Sequence, residues 1–184
     1  MKPNNMNCLL IGSNGFLGSS LAIELTNNHV SFSELSHQNV KIPNAFFEIT
    51  RPHIQDSTLF THAIYLSWST NRSADFQEKS FLAAKYAADW AVRNGVRIIF
   101  VSSMSASMPF PQSNYGRFKK LAEDYFLSLG FEIVRPGTVL SKNDFAGGAL
   151  SHLGNLSKIG KVVLAKIQPL SVPTISIEAF VVSL

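Results

Sequence analysis

A doubly wound parallel α/β sheet is the fold class this sequence predicts, and three observations carry the prediction. Short apolar runs alternate with helical patterns from Cys8 to Arg135. The first run stops at Gly12, glycines recur at 15 and 18, and a helical pattern (Phe16, Leu17, Leu21, Leu25) follows at once. Ile98, Ile99, Phe100 and Val101 are apolar at consecutive positions, as in parallel strands buried on both faces.

The elements follow in order. A strand at 7–11 leads through the glycine turn into a helix ending near Asn27 and Asn28. Residues 30–35 form a second strand, and a loop interrupted by Pro43 leads to a third at 45–49. Pro52 suits the first turn of a short helix. A buried strand at 63–66 stops in the polar Ser67-Trp68-Ser69-Thr70-Asn71, and a helix over 75–93 ends at Asn94-Gly95. The strand 96–101 comes next, then a loop rich in Ser and Pro, a helix over 114–129 stopped by Gly130, and a strand at 131–135. Beyond it, Gly147, Gly148, Gly154 and Gly160 break up the pattern before strands at 161–167 and 172–177 and an apolar, helix-like end at 179–184. That ending reads as a shortened version of a longer architecture.

Composition excludes several functions. Among 184 residues, 46% are apolar and 15% charged, so the chain can bury one good core. The net charge of +4 comes from scattered residues, with Lys119-Lys120 the one adjacent basic pair. That pattern leans to an anionic small ligand and is no nucleic-acid footprint. No apolar run reaches the ~20 residues that span a bilayer. The lone Cys8 allows no internal disulfide and fits a reducing cytoplasm, and Met1–Asn5 leads to the first strand without the apolar region of a signal peptide. A cytoplasmic protein is the expectation. The five histidines have no metal-ligand spacing, so no metal site is expected, and Trp68 and Trp90 read as core residues.

Three clusters carry chemistry. Glycines at the turn permit positive φ and close approach of a ligand to the backbone, and the helix that follows turns its first N–H groups outward, making a seat for a pyrophosphate. Tyr115 and Lys119 are one helical turn apart and can share a face. A phenol of ordinary pKa ~10 is a poor base, and a neighbouring cation favours its phenolate. The same pair also reads as an exposed helix face with Tyr115 packed at its start. Ser102, Ser103 and Ser105 follow the strongest strand, at the carboxyl end where open α/β sheets bind ligands. A serine there can hold a substrate oxygen, or simply contribute to a polar loop.

Taken together, Gly12-x-x-Gly15-x-x-Gly18, Tyr65-Leu66-Ser67, Val101-Ser102-Ser103, Tyr115-x-x-x-Lys119 and Arg135-Pro136-Gly137-Thr138-Val139 occur in the order seen in extended short-chain dehydrogenases/reductases, and the chain resembles their NAD(P)-dependent sugar-nucleotide epimerase/dehydratase branch. The resemblance implies a Rossmann-like NAD(P)-binding domain over 1–140, with a truncated substrate lobe and final strand over 141–184. It implies Tyr115 as catalytic base or acid, Lys119 as the group that lowers its pKa and holds the nicotinamide ribose, and Ser103 as the residue that orients the substrate oxygen, with Ser105 as a helper. Gly12, Asn14, Gly15, Phe16, Leu17 and Gly18 would hold the pyrophosphate. Ser36 would meet the adenosine ribose, Glu48 and Ile49 the adenine, Leu66 and Ser67 the cofactor backbone, and Pro136 the nicotinamide side.

Two positions depart from that pattern. Ser80 stands where such families carry an asparagine on the helix before the Ser strand, which undercuts a proton relay there. Ser36-His37 replace the carboxylate that binds the ribose 2′-hydroxyl of NAD, tilting the cofactor toward NADP. The activity implied is oxidation or reduction at a hydroxyl of a sugar nucleotide or similar small molecule, and a homodimer is the family expectation. The alternative is a non-catalytic NAD(P)-binding sensor or scaffold of the same fold.

Overall fold

The structure, a computed structural model, describes residues 7–36, 47–54, 59–108 and 113–136. The chain divides into two compact units, Met1–Arg135 and Pro136–Leu184. The expected domain boundary at 140, the strands at 161–167 and 172–177 and the apolar end lie outside the described residues.

Among the described residues, five strands and three α-helices follow in order: β1 (Asn7–Ile11), α1 (Phe16–Asn27), β2 (Ser31–Leu35), β3 (His62–Tyr65), α2 (Ala74–Asn94), β4 (Arg97–Val101), α3 (Asn114–Ser128) and β5 (Glu132–Val134). A single turn of 3₁₀ helix, Met104–Ala106, lies between β4 and α3. All strand pairs are parallel, in the order β2-β1-β3-β4-β5. The chain steps from β1 outward to β2, then crosses back to place β3 on the other side of β1. That reversal opens a crevice at the carboxyl ends of β1 and β3, the place where such sheets take ligands.

Period-two alternation sorts the strand residues onto two buried faces. Leu9, Ile11, Ala63, Tyr65, Ile98 and Phe100 join one core with Ala84, Ala88 and Trp90 of α2 and Ala122 and Phe126 of α3. Phe100 stacks on Phe126 at 4.8 Å between ring centres. Cys8, Leu10, Ile64 and Ile99 point the other way and are also buried, which is why these strands read as unbroken apolar runs. Burial pushes the Cys8 thiol up to about 12, so it is an inert packing residue. The helices stop as their glycines dictate, with Gly95 at φ 65° and Gly130 at φ 77°. Among the described residues no helix is long and apolar enough to cross a membrane.

The described part of the strand expected at 45–49 is not in the sheet. From Phe47 on, it enters a turn closed by an antiparallel bridge between Glu48 and Arg51, and Pro52–Ile54 carry no helix. Phe47 and Ile54 are buried nonetheless, and Phe47 sits edge-on to Tyr65. Core packing from a turn, not strand pairing, accounts for the apolar residues there.

Candidate functional site

The glycine turn divides its work among three positions. Gly12 has φ 95°, and a Cβ on it would stand 2.7 Å from the Ser67 backbone N, so the carboxyl end of β3 lies directly against the turn. A Cβ on Gly18 would stand 2.2 Å from the Gly12 carbonyl oxygen, so Gly18 lets α1 pack on the turn. A Cβ on Gly15 would meet only the Gly12 oxygen, at 3.4 Å, and Gly15 is exposed. Gly15 is the N-cap of α1, with no side-chain cap and no acidic residue in the first turn. The leading N–H groups of α1, those of Phe16, Leu17 and Gly18, have no partner within the helix. An open backbone, unpaired N–H groups and no carboxylate suit phosphate oxygens. Asn14 and Phe16 are exposed beside it and Leu17 is half-buried.

The second half of the site gathers at the ends of β3 and β4. Ser103 caps the 3₁₀ turn, its hydroxyl accepting from the Ser105 N–H at 3.2 Å, and its side chain lies near enough to Tyr115 to lower the phenol's pKa. Tyr115 enters from the first turn of α3, which Ser113 caps by accepting from the Gly116 N–H at 3.1 Å. One turn on, Lys119 is buried and its ammonium donates to the Val101 carbonyl at 2.9 Å. The two meet on one ring: Trp68 stands edge-on to Tyr115, 6.3 Å between centres, and the Lys119 Nζ lies 4.2 Å from its centre.

A cavity of about 340 Å³ opens here, walled by Trp68, Arg72 and Tyr115 and by the hydroxyl residues Ser69, Thr70, Ser105 and Ser113. Trp68, expected in the core, packs against it from the rim and lines this cavity; Trp90 is fully buried.

Burial raises the Tyr115 phenol above its usual range, opposed first by the Ser103 side chain and then by the Arg72 cation. Burial also brings the Lys119 ammonium down to about 7, against the pull of Glu123. Arg72 is thus a cation that acts on the phenol. Ser13 and Ser102 bring buried hydroxyls to the same edge of the sheet that have no hydrogen-bond partner among the described residues, a condition that native interiors rarely leave unfilled.

No family model and no curated protein matches the chain. Solved structures do. The dTDP-4-dehydrorhamnose reductase of Yersinia enterocolitica aligns with TM-score 0.60 at 18% identity, over 80% of this chain and 59% of its own. A short-chain dehydrogenase/reductase superfamily protein of Agrobacterium tumefaciens with bound NAD aligns with TM-score 0.59 at 17% identity, over 77% and 54%. The UDP-N-acetylglucosamine 4-epimerase of Bacillus cereus gives 0.58 at 15%, over 75% and 55%. This chain has the Rossmann-like, doubly wound fold of these proteins. It spans little more than half the length of these three proteins.

Within that fold, the remaining residues singled out from the sequence separate into groups. Leu66 and Ser67 follow β3 against Gly12, the Leu66 N–H donating to the Ile11 carbonyl at 2.8 Å. Ser36 closes β2 and is buried. Glu48 and Ile49 lie in the turn before Pro52, where the Thr50 hydroxyl donates to the Glu48 carboxylate at 2.6 Å. Pro136 follows β5 as the last described residue, and His37 and Gly137 lie outside the described residues.

Ser80, on α2, has a structural task. Its hydroxyl donates to the Phe76 carbonyl at 2.8 Å and accepts from the Ser69 N–H at 3.1 Å. Gln77, fully buried beside it, accepts from the Trp68 indole N–H at 2.7 Å and donates to the Ser69 and Asn71 carbonyls. These two α2 side chains pin the segment that walls the cavity. Sequence reasoning missed Gln77 and Arg72. A polar residue one turn ahead of Ser80 and a lone arginine after Asn71 were the available signals.

Proposed function

We propose that this chain is an NAD(P)-dependent oxidoreductase of the epimerase/dehydratase type, acting on a hydroxyl of a sugar nucleotide or similar small molecule. The observation that carries the reading is the place of Tyr115 on the cavity wall with Ser105 in the same lining and Ser103 close enough to act on the phenol, at the carboxyl end of the sheet whose first strand runs into an open glycine turn. Ser103 orients the substrate oxygen beside the phenol. Tyr115, kept protonated by burial, hands its proton to a carbonyl oxygen when the substrate is reduced. In the reverse direction it takes the hydroxyl proton, with the Ser103 side chain and the Arg72 charge easing formation of the phenolate. A nicotinamide, when bound, supplies or accepts the hydride. Gly15 and the first turn of α1 hold its pyrophosphate, and Lys119 turns from Val101 to its ribose. Ser36 presents no carboxylate to repel a 2′-phosphate, which favours NADP.

The test is a panel of sugar nucleotides incubated with the protein and NADP(H), following cofactor absorbance and product stereochemistry. Hydride exchange or sugar interconversion is the expected result. A second reading, a cofactor-binding sensor without turnover, draws on the engagement of Lys119 with Val101. It requires NADPH binding with no chemistry on any member of the panel.

A further inference from the structure

The cavity beside Tyr115 has a one-sided charge. Among the described residues, Arg72 is the charged one in its lining and no carboxylate lines it. The guanidinium makes no ion pair among the described residues, and the nearest acid along the chain, Asp75, is taken by Lys79 at 2.7 Å. The first turn of α3 reaches the same cavity through Ser113 and Tyr115 and contains no acidic residue, so the positive end of that helix adds to the arginine. The backbone that carries Arg72 is also fixed. Asn71 accepts from the Ser73 N–H at 3.0 Å and its own N–H donates to the Ser69 hydroxyl at 3.1 Å, while Gln77 and Ser80 hold Ser69 from below. An exposed guanidinium that lines the cavity without an ion pair among the described residues, on a braced backbone and close enough to act on the phenol, is poorly matched to a neutral ligand. It is well matched to an oxyanion, which it can grip through two N–H donors.

We propose that Arg72 anchors an oxyanion of the substrate, so that this cavity selects molecules carrying a carboxylate or phosphate within reach of the hydroxyl or carbonyl that Tyr115 serves. The four wall hydroxyls of Ser69, Thr70, Ser105 and Ser113 are suited to the neutral polar part of such a molecule. The inference rests on the reading of the site given above and adds the charge of the substrate to it.

Titration calorimetry on the full chain tests it without requiring turnover. The probes are UDP (phosphate alone), glucuronate (carboxylate alone), UDP-glucuronate (both) and methyl glucoside (neither), with NADPH as control. The wild type is expected to prefer at least one anionic probe over methyl glucoside, and Arg72→Met to weaken that probe by about tenfold or more, the scale of a charge-assisted pair. Arg72→Lys keeps the charge without the fork and is expected to recover part of the loss. The phosphate and carboxylate arms show which oxyanion is gripped. The proposal is overturned if the wild type has no preference for any anionic probe, if Arg72→Met leaves all of them unchanged, or if it weakens NADPH as strongly, which would assign the arginine to the cofactor. Hydride transfer indifferent to Arg72 refutes this inference alone. Arg72-dependent binding without hydride transfer on any substrate refutes the oxidoreductase reading alone.

Discussion

The Lys119 ammonium donates to the Val101 carbonyl at 2.9 Å and lies beside the Trp68 and Phe100 rings, 4.2 and 4.7 Å from their centres. It is a buried cation with one hydrogen bond and two aromatic faces for company. Its pKa of about 7, against ~10.4 in an unfolded chain, sets a sign. Between those values the unfolded state binds the proton and the folded state does not, so stability rises with pH across that window. Below about pH 7 both states are protonated and the full cost of the buried charge remains. Lys119→Met is therefore expected to melt higher than the wild type at pH 6, by an amount on the order of a few kcal/mol in stability, with the advantage shrinking as the pH approaches 10. Thermal melts of both proteins across that range check it; a gap that does not change with pH contradicts it.

Glu123, fully buried, receives both Arg135 donors at 2.7 and 2.8 Å, tying α3 to the end of β5. Arg135→Met strands a buried carboxylate and is expected to cost about 3–5 kcal/mol. Urea unfolding measures it. The double variant Arg135→Met/Glu123→Leu is expected to recover most of the loss, because it removes the charge that the single variant leaves unpaired.

Gly15 and Gly18 separate ligand binding from folding. Gly18→Ala drives a Cβ into the Gly12 oxygen and the Ser13 backbone and is expected to destabilise the fold by about 2 kcal/mol or more, the range of overpacking. Gly15→Ala meets one atom at ordinary contact distance, so its melting temperature is expected to stay near that of the wild type while NADPH affinity falls. Melting curves paired with NADPH titrations distinguish them; equal losses of stability contradict the division of labour.

Gln77→Leu removes the acceptor of the Trp68 indole and the donors to two carbonyls of the cavity wall. Leaving such groups unsatisfied costs about 1–3 kcal/mol. A shift in tryptophan emission is expected with it, since Trp68 is half-buried and Trp90 is not touched. An unchanged spectrum would contradict the pinning role.

Most of the sheet was legible because its strands are buried on both faces and separated by helices with clear stops, as at Gly95 and Gly130. The segment around Phe47 misled because an apolar pair packed from a turn has the same local pattern as a strand. Tyr115, Lys119 and Ser103 were legible as types at a spacing. The part taken by Arg72 was not, since it sits in a segment without regular structure, and helical spacing does not reveal that Lys119 is buried and donates to the Val101 carbonyl. Gln77 and Ser80 were obscure for a similar reason: their partners are backbone groups in a segment without regular structure.

The central claim is that the Tyr115 phenol exchanges the reacting proton. Its direct test is single-turnover hydride transfer between NADP(H) and an active sugar nucleotide, comparing wild type with Tyr115→Phe alongside the NADPH affinity of each. A rate loss of about a hundredfold or more is expected, with NADPH affinity nearly kept. Undiminished hydride transfer by Tyr115→Phe would contradict it.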